Sequence, residues 1–346
     1  MIQSLHVERF KCFKNFLVDL DPLTVVIGPN DSGKTAFLQA LLLWASLGPD
    51  QAKNTAELEA QLGFSFGSGT FWREDKSSQI KLTARLNEKD VLVESLFSGQ
   101  TLLFRKPLQS SGEAGTKLGG PGMIPQVGYY RFVPAAMRKP TPLSHNMFRM
   151  TGTGEGLATF LDDILRADRD AFMALEKDFY ARFPEYKRLI IGTSKIENVN
   201  AAGHVLRFVT KHGEELAADA VSDGAILCLG FLALYYQTSR TDLLLIEEPE
   251  NGVHHSRLKD IVGILRSVQE QKGLQVILTT HSPYLLDLVE PEHVRVFAKD
   301  KEGAVHARKL SDYPEVDRLK KHFMSGEIWT GLSEEEIVLS GEKGGE

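Results

Sequence analysis

Residues 23–47 read LTVVIGPNDSGKTAFLQALLLWASL. A short β-branched run meets a cluster of turn-forming residues from Gly28 to Gly33, and an apolar stretch then continues to Gly48-Pro49. Proline cannot continue a helix and glycine ends one at little cost, so the expected order is strand, tight loop and helix, the helix starting at about Lys34. It is apolar nearly all round and should be buried. Gly28-Pro29-Asn30-Asp31-Ser32-Gly33-Lys34-Thr35 matches G-x-x-x-x-G-K-[ST], in the strand-to-helix context that gives the pattern its meaning. The glycines let backbone N–H groups fold around phosphate oxygens, and the helix amino terminus adds positive potential. Lys34 can reach terminal phosphates and Thr35 can ligate Mg²⁺, which predicts nucleotide binding.

Upstream, apolar stretches around Ile2 to Val7 and Phe16 to Leu20 read as strands. Downstream, IKLTARL at 80–86 puts Ile80, Leu82, Ala84 and Leu86 on one face and Lys81, Thr83 and Arg85 on the other. VLVESLF and TLLFR follow after short polar turns, which predicts a small antiparallel β unit. Residues 110–128 hold six glycines and two prolines, a composition suited to a mobile loop. Leu157, Phe160, Leu161, Ile164 and Leu165 recur at helical spacing, and Phe172, Leu175, Phe179 and Phe183 continue it to Pro184, predicting a helical insert. No sustained heptads appear, which argues against a coiled-coil arm.

LLLI at 243–246 and QVILTT at 275–280 are continuous apolar runs of the kind buried on both faces of a parallel sheet. Leu258, Ile261, Val262, Leu265 and Val268 line one face of an intervening helix that stops at Gly273, so the segment is a βαβ unit. Its first strand runs into Glu247-Glu248-Pro249-Glu250, at the carboxyl end where open α/β sheets bind ligands. Adjacent strand residues face opposite sides. Glu247 is therefore assigned to the Mg²⁺ shell and Glu248 to orienting or activating an attacking water. The second strand ends in Thr279-Thr280-His281-Ser282-Pro283, where Ser282 can cap and Pro283 open the next helix. That leaves His281 on the turn as a candidate γ-phosphate contact. Val221-Ser222-Asp223-Gly224, before AILCLGFLALYY, reads by itself as a helix cap.

The chain has 346 residues, with 40 Lys plus Arg against 46 Asp plus Glu, and its net charge of −6 opposes non-specific attraction to nucleic acid or an anionic membrane. At 42% hydrophobic and 25% charged, it is neither disordered nor fibrous in composition. Cys12 and Cys228 offer no disulfide framework or zinc spacing and read as buried thiols among apolar neighbours. The amino terminus lacks a secretory core and the longest apolar run, Ala225 to Tyr236, is too short to span a bilayer, so a cytoplasmic protein without a membrane partner is expected. Residues 129–150 carry Arg131, Arg138, Lys139 and Arg149 among aromatics, a pattern suited to phosphates or a partner, or to a core strand with a solvated loop. Trp329 reads as packed on its own domain or, if exposed, as a docking anchor. Ser333 with Glu336 can cap a last helix.

GPNDSGKT, VSDG, LLLIEEPE and THS, in that order, resemble the Walker A, signature, Walker B and switch-histidine motifs of ABC-type ATPases. The likeness is to the RecF, SMC and OLD-like group, over residues 1–47 and 217–290. It implies an α/β P-loop head with a mainly parallel central sheet, an antiparallel β unit and a helical insert. It also implies ATP and Mg²⁺ sandwiched between two copies, Ser222 and Gly224 of one facing the γ-phosphate held by Lys34 of the other. Asn251 falls in the dimer-communicating D-loop. The implied role is an ATP-hydrolysing motor or regulatory switch in bacterial DNA repair or anti-phage defence. A separate effector, with a nuclease as one candidate, and DNA are the implied partners.

This sequence departs from the family at Glu247, where Walker B usually has aspartate, a variation associated with the OLD-like branch. VSDGA replaces the transporter-type LSGGQ, and no guanine-reading NKxD segment occurs. A transporter subunit is thus a weaker alternative, as is a GTP switch, and a RecF-like repair clamp is a further reading. Gln79, Gln100, Gln109 and Gln126 all qualify as the Q-loop glutamine. About 55 residues follow Glu290, too few for the Toprim domain of an OLD-like nuclease, so a stand-alone head is expected. The expected segments are 1–48, strands and Walker A helix; 49–150, the antiparallel unit with its Gly-rich loop; and 151–216, helical insert and strands. The signature, Walker B and switch histidine occupy 217–298, and 299–346 is a tail.

Overall fold

Alternating side chains at the amino terminus build an antiparallel ladder, and the fold grows from it. The computed structural model describes residues 1–47, 52–62, 65, 70–74, 79–86, 89–98, 101–105, 125–143, 150–195, 202–237 and 241–339. Strands β1 (Ile2–Phe10), β2 (Phe13–Asp19) and β3 (Leu23–Ile27) lead into helix α1 (Lys34–Ala45). Next come β4 (Ala52–Asn54), α2 (Thr55–Leu62), β5 (Lys81–Leu86), β6 (Lys89–Ser98) and β7 (Thr101–Arg105). The middle of the chain forms β8 (Val127–Tyr130), α3 (Pro134–Met137), β9 (Thr141–Pro142), α4 (Leu157–Ala167), α5 (Arg169–Arg182), β10 (Tyr186–Lys195), β11 (Ala202–Thr210), β12 (Glu215–Ala217) and α6 (Asp223–Tyr236). The remainder is β13 (Leu243–Glu247), α7 (Leu258–Lys272), β14 (Gln275–Thr280), α8 (Pro283–Leu286), β15 (Val294–Lys299), β16 (Val305–Lys309), α9 (Val316–Leu319), α10 (Ser325–Gly331) and α11 (Glu334–Leu339).

The antiparallel sheet has the order β2-β1-β5-β6-β7-β4. Val7 faces Phe16 on β2 and Leu82 on β5, and all three are buried; a slip of one residue would turn them to solvent, so the apolar face fixes the register. A second sheet, β10-β11-β12 with β9 on β11, is also antiparallel. The third has the order β16-β15-β3-β14-β13-β8, with β3 parallel to both β14 and β15. β3, β13 and β14 are buried along their whole length, which is why their sequences are continuously apolar or β-branched.

The chain divides into two compact units, Met1–Val127 with Thr241–Leu245 and Leu274–Glu346, and Gly128–Arg240 with Ile246–Gly273. They cut across the linear segments suggested by motif order. Helix α1 ends at Ala45, ahead of Gly48-Pro49, because the Ser46 hydroxyl donates to Leu43 O at 2.7 Å and closes the last turn. The Gly-rich stretch expected at 110–128 lies outside the described residues up to 124. In the first unit Phe16 packs against Phe13, Phe37 and Phe297 with ring centroids 4.4, 6.2 and 5.1 Å away, which roots α1 in the core. In the second, Phe179 of α5 stacks on Phe183 and Tyr186, and α6 is buried from Ala225 to Leu234. Helix α7 ends on Gly273 at φ +68°, the left-handed cap its position suggested. Among the described residues no helix is long and apolar enough to cross a membrane.

Phe37 is fully buried in this aromatic cluster. Phe37→Ala should lower unfolding stability by about 3–5 kcal/mol, read as a lower urea midpoint at unchanged slope.

Candidate nucleotide site

The loop after β3 folds as it does because two of its positions have no room for a side chain. A Cβ on Gly28 would lie 2.5 Å from the Phe297 carbonyl oxygen. Gly33 precedes α1 at φ +91°, and a Cβ there would lie 2.8 Å from Cys12 Sγ. Ser32 N–H donates to Pro29 O at 3.2 Å, closing the turn. Lys34 is only 6% exposed, and its ammonium curls back to donate to Gly28 O and Pro29 O, each at 2.7 Å. Thr35 is exposed beside it on the first turn of α1. A cavity of about 620 Å³ is lined by this loop from Asn30 to Thr35 and by His281, which follows β14. Its volume is in the range of small-molecule and cofactor sites.

The same cavity takes residues that sequence reasoning did not single out as site residues: Lys11, Cys12, Gln39, Phe71 and Arg73. Lys11 and Arg73 sit on left-handed backbone, at φ +53° and +50°. Lys11 N–H donates to Thr70 O at 2.8 Å and its ammonium to Gln39 Oε1; burial lowers its pKa. The Arg73 guanidinium donates to Glu302 O at 3.1 Å. Cys12, expected among apolar neighbours, is half-buried against this cavity because the β1–β2 turn meets the phosphate loop there.

The carboxylates belong to the second unit. Glu247 is 3% exposed, and its Oε2 accepts from the Tyr129 hydroxyl of β8. Burial and this carboxylate push the Tyr129 ionisation up, so the phenol stays a donor. Glu248 does not follow strand alternation as the sequence suggested: β13 ends at Glu247, and Glu248 takes φ +48°. Its direction is set by Asn251 Nδ2 at 2.7 Å and Arg131 Nη2 at 3.3 Å, both on Oε2. Ser222 caps α6, its hydroxyl accepting from Ala225 N–H at 3.4 Å. A Cβ on Gly224 would meet nothing within 4 Å, so that turn is open.

The Thr35 hydroxyl and the Glu247 carboxylate are hard oxygen donors of the kind Mg²⁺ takes. Among the described residues no three His, Cys, Asp or Glu could hold a metal by themselves.

A family described as "AAA ATPase domain" matches residues 1–99, and one described as "AAA domain, putative AbiEii toxin, Type IV TA system" matches residues 145–287. An OLD nuclease of Thermus scotoductus is 23% identical over 94% of this chain and 68% of its own length. The DNA replication and repair protein RecF of a Synechococcus species is 25% identical over 51% of this chain and 40% of its own. The head of an SMC protein, solved bound to the C-winged helix domain of ScpA, superposes with a TM-score of 0.56 at 15% identity, covering 89% of this chain and 97% of that one. Together these likenesses are to RecF/SMC/OLD-like ABC-type ATPases, and the structural one is a likeness of fold.

The basic stretch from Arg131 is not a free patch. Arg131 engages Glu248, and Arg138 engages Ala218 O and Val221 O; Arg149 lies outside the described residues. Gln79 donates to Glu94 Oε2 at 3.0 Å, and the Gln126 carbonyl accepts from the Asp242 and Leu243 N–H groups while its own N–H donates to Asp242 Oδ2 at 2.9 Å. Gln100 and Gln109 lie outside the described residues. Trp329 is half-buried on α10, and the Ser333 hydroxyl caps α11 through Glu336 N–H at 3.0 Å.

Burial pushes the Cys12 thiol from an ordinary 9.0 up to about 11. Its thiolate fraction at pH 8 should be roughly 100-fold below that of the unfolded chain, so iodoacetamide should label Cys12 slowly until the pH nears 11, as read by peptide mass spectrometry. The sign is that of a raised acid: the stability held by the neutral thiol is intact below pH 9 and lost as pH rises toward 11.

Proposed function

We propose that this chain binds ATP with Mg²⁺ in the cavity over the Gly28–Thr35 loop and hydrolyses it, two copies closing around two nucleotides. The observation that carries the reading is the Lys34 ammonium, buried on the carbonyls of its own loop, a position from which it exchanges loop carbonyls for phosphate oxygens. Asn30, Asp31, Ser32 and Gly33 present the rest of the cradle, with Gly28 and Pro29 holding its base. Thr35 and Glu247 would hold Mg²⁺, which would supply neutralising charge to the phosphates. Glu248 orients the water that attacks the γ-phosphorus, His281 contacts the γ-phosphate, and Lys34 offsets the charge developing on the departing ADP.

Ser222 and Gly224 contribute from the second copy. An uncrowded, serine-capped helix start suits an anion, and this chain already has one phosphate loop. Asn251, on the Glu248 carboxylate, lies where the copies communicate. Opening and closing of the pair would act as a motor or regulatory switch. The name of the RecF relative, a DNA replication and repair protein, supports a setting in bacterial DNA repair, with anti-phage defence as the other setting. The working partners are a separate effector, such as a nuclease, and DNA, in the cytoplasm.

Lys34→Ala should weaken binding of a fluorescent ATP analogue roughly 10- to 100-fold, the loss of a charge-assisted contact. Glu248→Gln should bind within about twofold of wild type yet turn over roughly 10²- to 10⁴-fold more slowly. Equal loss of affinity in both variants overturns this division of labour.

Composite sites have a separate signature. Lys34→Ala and Ser222→Arg chains should each be inactive, while verified mixed dimers regain hydrolysis, since one site keeps both intact halves. No recovery in such dimers would refute the head-to-tail arrangement.

A further inference from the structure

Residues 129–138 touch the acidic strand end at one extremity and the signature turn at the other. At the first, Tyr129 donates to Glu247, and Arg131 Nη2 lies 3.3 Å from Glu248 Oε2, the oxygen that also accepts from Asn251. At the second, Arg138 Nε donates to Ala218 O at 3.1 Å, and Nη2 donates to Val221 O at 2.7 Å and pairs with Asp223 Oδ1 at 2.6 Å. One arginine therefore holds the three residues around Ser222 that shape the start of α6.

The stretch between these ends is stiff. Arg131 N–H donates to Gly152 O at 2.7 Å and Val133 N–H to Thr153 O at 3.0 Å, and the α3 turn opens on Pro134. Phe132 and Met137 fill notches left by glycines. A Cβ on Gly230 of α6 would lie 2.4 Å from Met137 Cε and 3.1 Å from Phe132, and one on Gly154 would lie 2.5 and 3.0 Å from the same side chains. The strap is thus locked to the helix that Ser222 caps. Gly252, at φ +82°, closes the circuit: a Cβ there would sit 3.5 Å from both Pro134 and Leu227 and 3.8 Å from Asp223. The loop that follows Glu248, the strap and the first turn of α6 share one junction.

Packing alone does not account for the polar ends. Arg131 has a side chain 56% exposed, and ion pairs of that kind add little to stability. We propose that Arg131 and Arg138 are positioning residues, through which the state of the signature turn sets the direction of the Glu248 carboxylate. The inference rests on the roles given above to Ser222 and Glu248. A phosphate arriving at Ser222 competes with Asp223 for the Arg138 guanidinium, and the strap, shifting together with the α6 start to which it is locked, carries Arg131, and with it Glu248 Oε2, to a new position.

Hydrogen exchange on the nucleotide-free wild-type and Arg138→Ala proteins is the direct test. Exchange should quicken at the amides of residues 218–225 and also at 129–133 and 247–252; quickening confined to 218–225 overturns the proposal. Should Arg138→Ala fail to fold, Asp223→Asn loosens the same contact from its exposed side and is read identically. In steady-state assays Arg131→Ala should lower kcat about 10-fold with KM for ATP changed less than about twofold, and Arg131→Lys should recover part of it. The Arg131→Ala/Arg138→Ala double variant should be no slower than the slower single one, because the same link is cut twice; multiplied losses refute it. Light scattering of Glu248→Gln with ATP reports dimer closure separately. A failure of the composite site is thereby distinguished from a failure of the strap, whose exchange pattern is read without nucleotide.

Discussion

Gly28 and Gly33 are the two points at which the loop after β3 is pinned. At one, the Phe297 carbonyl occupies the space of a side chain, and at the other the Cys12 thiol does. Between these contacts the chain can only run as a loop that leaves β3, turns back on itself and enters α1 with Lys34 beneath it. Phe16, Phe37 and Phe297 then hold helix and strands in one apolar cluster. The loop's chemistry is therefore a consequence of packing. A rigid floor lets an ammonium rest on carbonyl oxygens, where it is satisfied and still exchangeable.

Local features of the sequence were legible in proportion to how local their causes are. The phosphate loop, the Gly273 cap, the Ser222 and Ser282 caps and the alternation from Ile80 to Ala84 each depend on residues within one or two turns, and each appears at its expected place. The continuous apolar runs of β13 and β14 announced a sheet covered on both faces, since no strand with a wet side tolerates that pattern. The two compact units were not legible, because motif order follows the chain whereas each unit is assembled from separated segments.

The site residues that escaped sequence reasoning have non-local causes. Lys11 and Arg73 reach the cavity through left-handed backbone, which no composition rule assigns to a lysine or an arginine. Glu248 escaped its strand-derived orientation for the same reason, its φ turning positive just where the strand ends. Tyr129 and Arg131 meet carboxylates more than a hundred positions away. In the sequence they read as part of a basic, aromatic stretch with several ordinary meanings. Only the pairing of β8 at the end of the sheet gives them one.

The order of synthesis imposes a last consequence on β3. Its two parallel neighbours are β14 and β15, which begin at Gln275 and Val294. The Gly28–Thr35 loop is made before either flanking strand and before the Phe297 carbonyl that lies against Gly28. The second unit, whose final segment closes at Gly273, has all its residues sooner. A nascent chain thus holds every residue of the second unit, Ser222 and Glu247 among them, before β3 gains either parallel neighbour, and the Gly28–Thr35 loop is fixed in place only after that.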